Sequence, residues 1–136
     1  VMTAAETGHP VFSTLHTVGA ANTIERIIDV FPPNQQRQIT IQLASVLQAV
    51  ISQQLVPSVD GTLIPVFEIM EVTPAIRNMI RENKVHQIDG MIYSSTGSGM
   101  MSMDQSLLQA YKDGKISKDT AMLYASNAEM LGKRLR

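Results

Sequence analysis

Cysteine is absent from the 136 residues, which excludes disulfides and thiolate metal sites and suits a reducing compartment. Tryptophan is absent too, and three tyrosines and three phenylalanines complete the aromatic set. Nine methionines stand instead, pointing to an adaptable core rather than a rigid aromatic one. Charged side chains make up only 17%, against about 25% in an average domain, which leaves neutral surface for contact with other protein. A net charge of −1 gives no electrostatic case for nucleic acid, and the basic end GKRLR reads as a solvated helix terminus. No apolar run is long enough to span a bilayer, so direct membrane insertion is not expected. What is present is a hydrophobic fraction of 44% in a length that supports one domain with a core.

A phosphate-binding loop is also missing. The stretch SSTGSGMMSMD, Ser94 to Asp104, looks like one at first. A Walker A loop needs G-x-x-x-x-G-K-[ST], so that a lysine reaches the phosphates. With Gly99 as the second glycine, Ser94 holds the first position and Met100 the lysine position. Around Gly114-Lys115 the pattern fails at Gln109 and Ile116. The nucleophile pattern G-x-S-x-G fails at Ser98, which is flanked by Thr96 and Met100. Ser94–Gly99 is expected to be an ordinary connection between helices.

The first ten residues read as the end of a helix, with Gly8 as a left-handed cap and Pro10 as a stop. A beginning inside a helix is expected of a piece cut from something longer. Val11–Thr17 is rich in β-branched and aromatic residues and predicts a strand. A helix is expected from about Asn22, with Ile24, Ile27, Ile28 and Phe31 on one face and Pro32-Pro33 at its end. The longest helix is expected over about 35–53, with the apolar stripe Ile39, Leu43, Val46, Leu47 and Val50. Two strands around Asp60-Gly61 form a hairpin, and Pro65 indicates an edge or a bulge. From Thr73, a cap followed by Pro74 at the first helical position, the pattern is helical over about 74–83, 85–94, 104–113, 118–126 and 128–135. The fold class is therefore α/β, mostly α by content: few strands in residues 1–72, then a helical region, 73–136. Three short strands do not complete an α/β domain.

Three histidines are candidates for chemistry. His9 and His16 bracket the expected strand, on the order of 23 Å apart at about 3.3 Å per residue, too far to share a metal. His86 has no partner at a meaningful spacing and reads as a helix-surface residue. No HExxH or histidine–carboxylate ligand cluster occurs, so no metal site is expected. His16 ends a strand that feeds a helix, where α/β sheets bind ligands. Its imidazole suits a hydrogen bond to a phosphate oxygen, or alternatively to a loop carbonyl. Arg77 and Arg81 share one helix face, where like charges mildly oppose each other, while Ile76, Met79 and Ile80 form the apolar face. The pair is either a solvated face or is aimed at a partner's carboxylates.

Two motifs at these residues resemble the PilT family, the type IV pilus retraction ATPases of the secretion-ATPase superfamily. TGHPVFSTLHT, Thr7 to Thr17, is similar to that family's His box, and AIRNMIRE, Ala75 to Glu82, to its AIRNLIRE motif, with Met79 in place of leucine. The stretches TIERIIDVFP, AVISQQL and DQSL are also similar, so the likeness spans nearly the whole chain. It implies the last part of a RecA-like ATPase core in residues 1–72 and a C-terminal helical region in 73–136. The Walker motifs would precede Val1. It implies a cytoplasmic homo-hexamer, working with the pilus machinery at the inner membrane, that hydrolyses ATP with Mg to retract pili. The present chain alone is expected to bind neither ATP nor Mg. His16 would sense phosphate; His9 belongs to the same box with a weaker, orienting role. Ala75, Ile76, Arg77, Asn78, Met79, Ile80, Arg81 and Glu82 would form an interaction segment. The alternatives are a non-catalytic interaction module, or the same part of a pilus-assembly or type II secretion ATPase.

Overall fold

A computed structural model describes residues 1–95 and 98–136. Helix α1, Met2–Glu6, ends at Gly8, whose φ of 89° only glycine adopts freely. Then come α2 (Ala20–Asp29), α3 (Pro33–Val46), strands β1 (Ala49–Pro57) and β2 (Leu63–Glu71), and α4 (Pro74–Arg81). A 3-10 turn at Val85–Gln87 leads into α5 (Ile88–Ser94), followed by α6 (Met103–Lys112), α7 (Lys118–Tyr124) and α8 (Ala128–Arg134).

Three expectations are corrected. Val11–Thr17 is not a strand: the segment has no regular structure, its backbone pairs with nothing among the described residues, and Phe12 is 97% exposed. Strand-forming side chains alone do not make a strand without a ladder partner. The second helix begins at Ala20, behind Gly19, and Asn22 lies inside it with its side chain donating to Val18 C=O. The longest helix stops at Leu47, which turns extended with ψ 130°, and Val50 and Ser52 belong to β1. The β-branched Val50, Ile51 and Val56 fit a pleated surface better than a continued helix. Of the connection Ser94–Gly99, Thr96 and Gly97 lie outside the described residues.

The hairpin forms where Asp60-Gly61 predicts it. The Asp60 carboxylate accepts from Thr62 N–H (2.9 Å), Thr62 Oγ1 (2.6 Å) and the Ser58 hydroxyl, and Gly61 supplies a φ of 85°. β1 and β2 pair antiparallel, Val50 opposite Met70, Ser52 opposite Glu68, Gln54 opposite Val66 and Val56 opposite Ile64. The free edge of β2 is covered by Met101, which exchanges two backbone bonds with Ile69 (2.8 and 3.0 Å), and by Ser106 Oγ, which accepts from Phe67 N–H at 3.0 Å. Pro65 falls in the same alternate set as Phe67 and Ile69, whose N–H groups point away from β1, so its missing donor costs the ladder nothing.

Period-two alternation buries one hairpin face and leaves Ile51, Leu55 and Leu63 exposed on the other. The buried face serves two apolar clusters. One gathers Val50 and Met70 with Ile24, Leu43, Ile76, Ile80, Ile88 and Ile92 from α2 to α5. The other gathers Val56 and Val66 with Met103, Leu107, Ile116, Ala121 and Leu131 from α6 to α8. No described helix is long and apolar enough to cross a membrane.

Candidate functional site

His16 sits at a bend in the irregular segment just before α2, exposed and without a hydrogen bond among the described residues. It does not end a strand, so the strand-end argument for its role falls, although its imidazole is unobstructed. His9 is also exposed, its Nδ1 3.1 Å from Thr7 Oγ1 at the end of α1. No described hydrogen bond or ion pair joins either histidine to residues 75–82.

Four consecutive residues after His16 are tied down. The Thr17 and Thr23 hydroxyls are 2.7 Å apart, Val18 C=O accepts from Asn22 Nδ2 at 2.9 Å, and Gly19 N–H donates to Ser52 Oγ at 2.8 Å. Ala20 N–H donates to Glu68 Oε1 at 2.8 Å. The other oxygen, Oε2, accepts from Met103 N–H at 3.3 Å. One buried carboxylate thus caps the first turns of α2 and α6, where unpaired N–H groups and the helix dipole favour negative charge. Burial pushes the Glu68 carboxyl above its ordinary range; the two N–H bonds oppose this, and Asp89 and Asp104 reinforce it. Glu68 faces a cleft of ≈ 730 Å³ between α2, α5, α6 and the α7–α8 corner, with Asn22, Tyr93, Asp104 and Met130 on its walls. Asp104 is occupied there, accepting from Ser126 and Asn127 N–H at 2.6 and 2.9 Å.

Helix α4 forms as its sequence dictates. Thr73 Oγ1 accepts from Ile76 N–H at 3.3 Å, and Pro74 occupies a first-turn position with no N–H to lose. Ile76 and Ile80 are fully buried and Met79 half-buried, while Ala75, Asn78, Arg81 and Glu82 are exposed. The two arginines diverge. Among the described residues, Arg81 Nη1 reaches only Asn78 Oδ1, at 3.3 Å. Arg77 is half-buried; Nη1 donates to Ala44 C=O and Nη2 to Leu47 C=O (3.5 Å), at the carboxyl end of α3. Both arginines were expected to be accessible; Arg81 is exposed, whereas Arg77 is half-buried against α3. Glu82 pairs with Lys84 at 2.7 Å, which lowers its pKa, the Arg81 charge adding to the effect. Among the described residues, no group of three or more histidines and carboxylates could hold a metal.

Residues 1–63 match the family model for the Type II/IV secretion system protein. Over 131 residues the chain is 46% identical to a twitching motility protein of Neisseria gonorrhoeae, covering 96% of this chain and 35% of that protein. It is also 46% identical over 120 residues to the type IV pilus retraction ATPase PilT of Pseudomonas aeruginosa, covering 88% of this chain and 35% of that one. Its fold superposes on a crystal structure of the pilus retraction motor PilT with bound ADP at a TM-score of 0.84, with 42% identity, covering 97% of this chain and 37% of that one. The chain belongs to the PilT family of secretion ATPases. The α/β fold class expected for a part of such an ATPase, mostly helical with few strands, is the one observed. The chain spans about a third of the length of the relatives it matches.

Sequence reasoning missed the joint built on Ser52 and Glu68 in this PilT-family chain. Its signal was available for β2: in LIPVFEIM, period two places Glu68 on the same face as Val66 and Met70. A carboxylate in an apolar row has to find hydrogen bonds.

Proposed function

We propose that this chain acts as the C-terminal portion of a hexameric motor ATPase that uses ATP hydrolysis to drive type IV pilus retraction. The observation that carries this reading is 46% identity, over nearly the whole chain, to proteins named for twitching motility and pilus retraction. Residues 1–72 then complete the RecA-like core, and 73–136 are its C-terminal helical region. ATP and Mg are held chiefly by residues outside these 136, since no Walker A pattern occurs within them. His16 suits a nucleotide because its imidazole is exposed and has no partner among the described residues. It donates to a phosphate oxygen, and His9 has the lesser, orienting role. The exposed edge of α4 (Ala75, Asn78, Arg81 and Glu82) meets a neighbouring subunit or the inner-membrane pilus machinery on the cytoplasmic side. Ile76, Arg77, Met79 and Ile80 hold that edge in place.

The test uses the full-length protein. Purified, it should hydrolyse ATP and sediment as a hexamer, and its gene should restore twitching to a retraction-deficient strain. The 136-residue chain alone should turn over no ATP. ATP hydrolysis with restored secretion or pilus assembly, but no retraction, would assign it to the related machines. A full-length protein silent in every assay would leave the non-catalytic interaction module.

A further inference from the structure

We propose that Glu68 is a positioning residue that couples the His-box loop to α6, and so sets where His16 stands. The inference rests on the ATPase reading above. His16 is the last residue without a tie before a run in which each residue is tied. Thr17 and Val18 are held by α2 itself, Gly19 by Ser52, and Ala20 by Glu68. On its other side, residues 10–16 have no backbone partner among the described residues. The location of His16 therefore follows the Gly19–Ala20 joint.

That joint is not held by α2 or the hairpin alone. Glu68 uses one oxygen for Ala20 and the other for Met103, so the start of α2 and the start of α6 share one carboxylate. Ser52, directly opposite Glu68 across the hairpin, completes the link. A shift of α6 relative to the hairpin strains the Met103 bond, and the rigid carboxylate passes it to Ala20. A pull on His16 travels the same way in reverse. Glu68 touches no reacting atom in this scheme; it acts through the loop.

Glu68→Gln separates positioning from mere packing. A glutamine keeps the shape, but only one of its two heads accepts, so one of the two helix starts is released. In the full-length protein, hydrogen exchange should speed up about ten-fold at residues 19–23 or 102–105, while α3 and α4 keep their protection. The kcat for ATP should fall about ten-fold with KM within about two-fold, the mark of a misplaced group rather than lost binding. Ser52→Ala, which releases only Gly19, should move both readouts the same way by less, and it serves if Glu68→Gln does not fold. Local exchange that rises while kcat stays unchanged overturns the proposal. So does a loss of protection across the whole hairpin, which marks a packing role. If the wild-type protein hydrolyses no ATP, the ATPase reading itself fails. Exchange then decides the coupling: unchanged protection at both helix starts refutes it.

Discussion

Replacing Arg77 by glutamine should destabilise the chain substantially, and replacing Arg81 should not, although both lie on one face of α4. α3 ends at Leu47, and its final carbonyls need partners. Leu43 C=O receives Leu47 N–H at 2.9 Å and Val46 C=O receives Gln48 Nε2 at 3.2 Å; Ala44 and Leu47 C=O are left to Arg77. A hydrogen bond from a charged donor contributes about 1.5–3 kcal/mol when well formed. The second bond, at 3.5 Å, is at the limit of length and adds little. A cation at a helix carboxyl end adds about 0.3–1 kcal/mol. Because the guanidinium is only half-buried, we take the lower part of this range, about 2 kcal/mol in all. At about 3–5 °C per kcal/mol for a chain of this size, Arg77→Gln should lower Tm by about 6–10 °C. Arg81→Gln should stay within about 0.5 kcal/mol, or about 2 °C. Scanning calorimetry with urea unfolding reads both, and an unchanged m-value keeps the comparison valid. Arg77→Lys should fall between, since a point charge replaces the two-pronged donor. Equal shifts for Arg77→Gln and Arg81→Gln, or a shift below about 2 °C for Arg77→Gln, would refute the reasoning.

In the full-length protein, His16→Ala should lower kcat for ATP hydrolysis while ATP affinity changes little, and His9→Ala should lose less; equal losses in a steady-state assay would count against the assignment. Ser102→Ala should cost about 1 kcal/mol in urea unfolding, because Ser102 and Gln105 cap α6 reciprocally at 3.2 and 3.3 Å. Glu68 gives a pH signature whose sign is fixed. Its carboxyl is raised in the fold, so its contribution to stability is fully present below the unfolded pKa, about 4.3, and is lost as pH rises through the folded value. Urea midpoints measured from about pH 4 to 7 should therefore fall less steeply with pH in Glu68→Gln than in the wild type.

Elements specified by local chemistry were legible in the sequence. Thr73-Pro74 and Asp60-Gly61 each have a side chain or a φ requirement that acts within a few residues, and each stands where it was expected. Elements settled by distant partners were not. Val11–Thr17 has the composition of a strand, but a strand exists only where another pairs with it. The end of α3 was misplaced because two of its last carbonyls are satisfied by Arg77, some thirty positions downstream. The apolar spacing through Val46, Leu47 and Val50 satisfies a helix and a helix–strand junction equally. The His-box and AIRNMIRE stretches were visible as text. The different surroundings of Arg77 and Arg81 were not, because only packing against α3 separates two residues that the helical period treats alike.

The pairing of Ser52 with Glu68, with Gln54 next along the same face, inserts a polar break into the inner face of the hairpin, with Val50 and Met70 on one side and Val56 and Val66 on the other. An unbroken apolar face would weld both clusters into one interdigitated solid, in which any displacement opens a void. A polar rung acts instead as a seam. The hairpin backbone crosses it intact, and hydrogen bonds that can be exchanged one at a time hold it closed. Damage on one side should then stay there: Ile80→Val and Leu107→Ala ought to add within about 0.5 kcal/mol, as independent sites do. A tilt of α6 to α8 against α2 to α5 would therefore load the Glu68 bonds to Ala20 and Met103 before it opened either apolar interior.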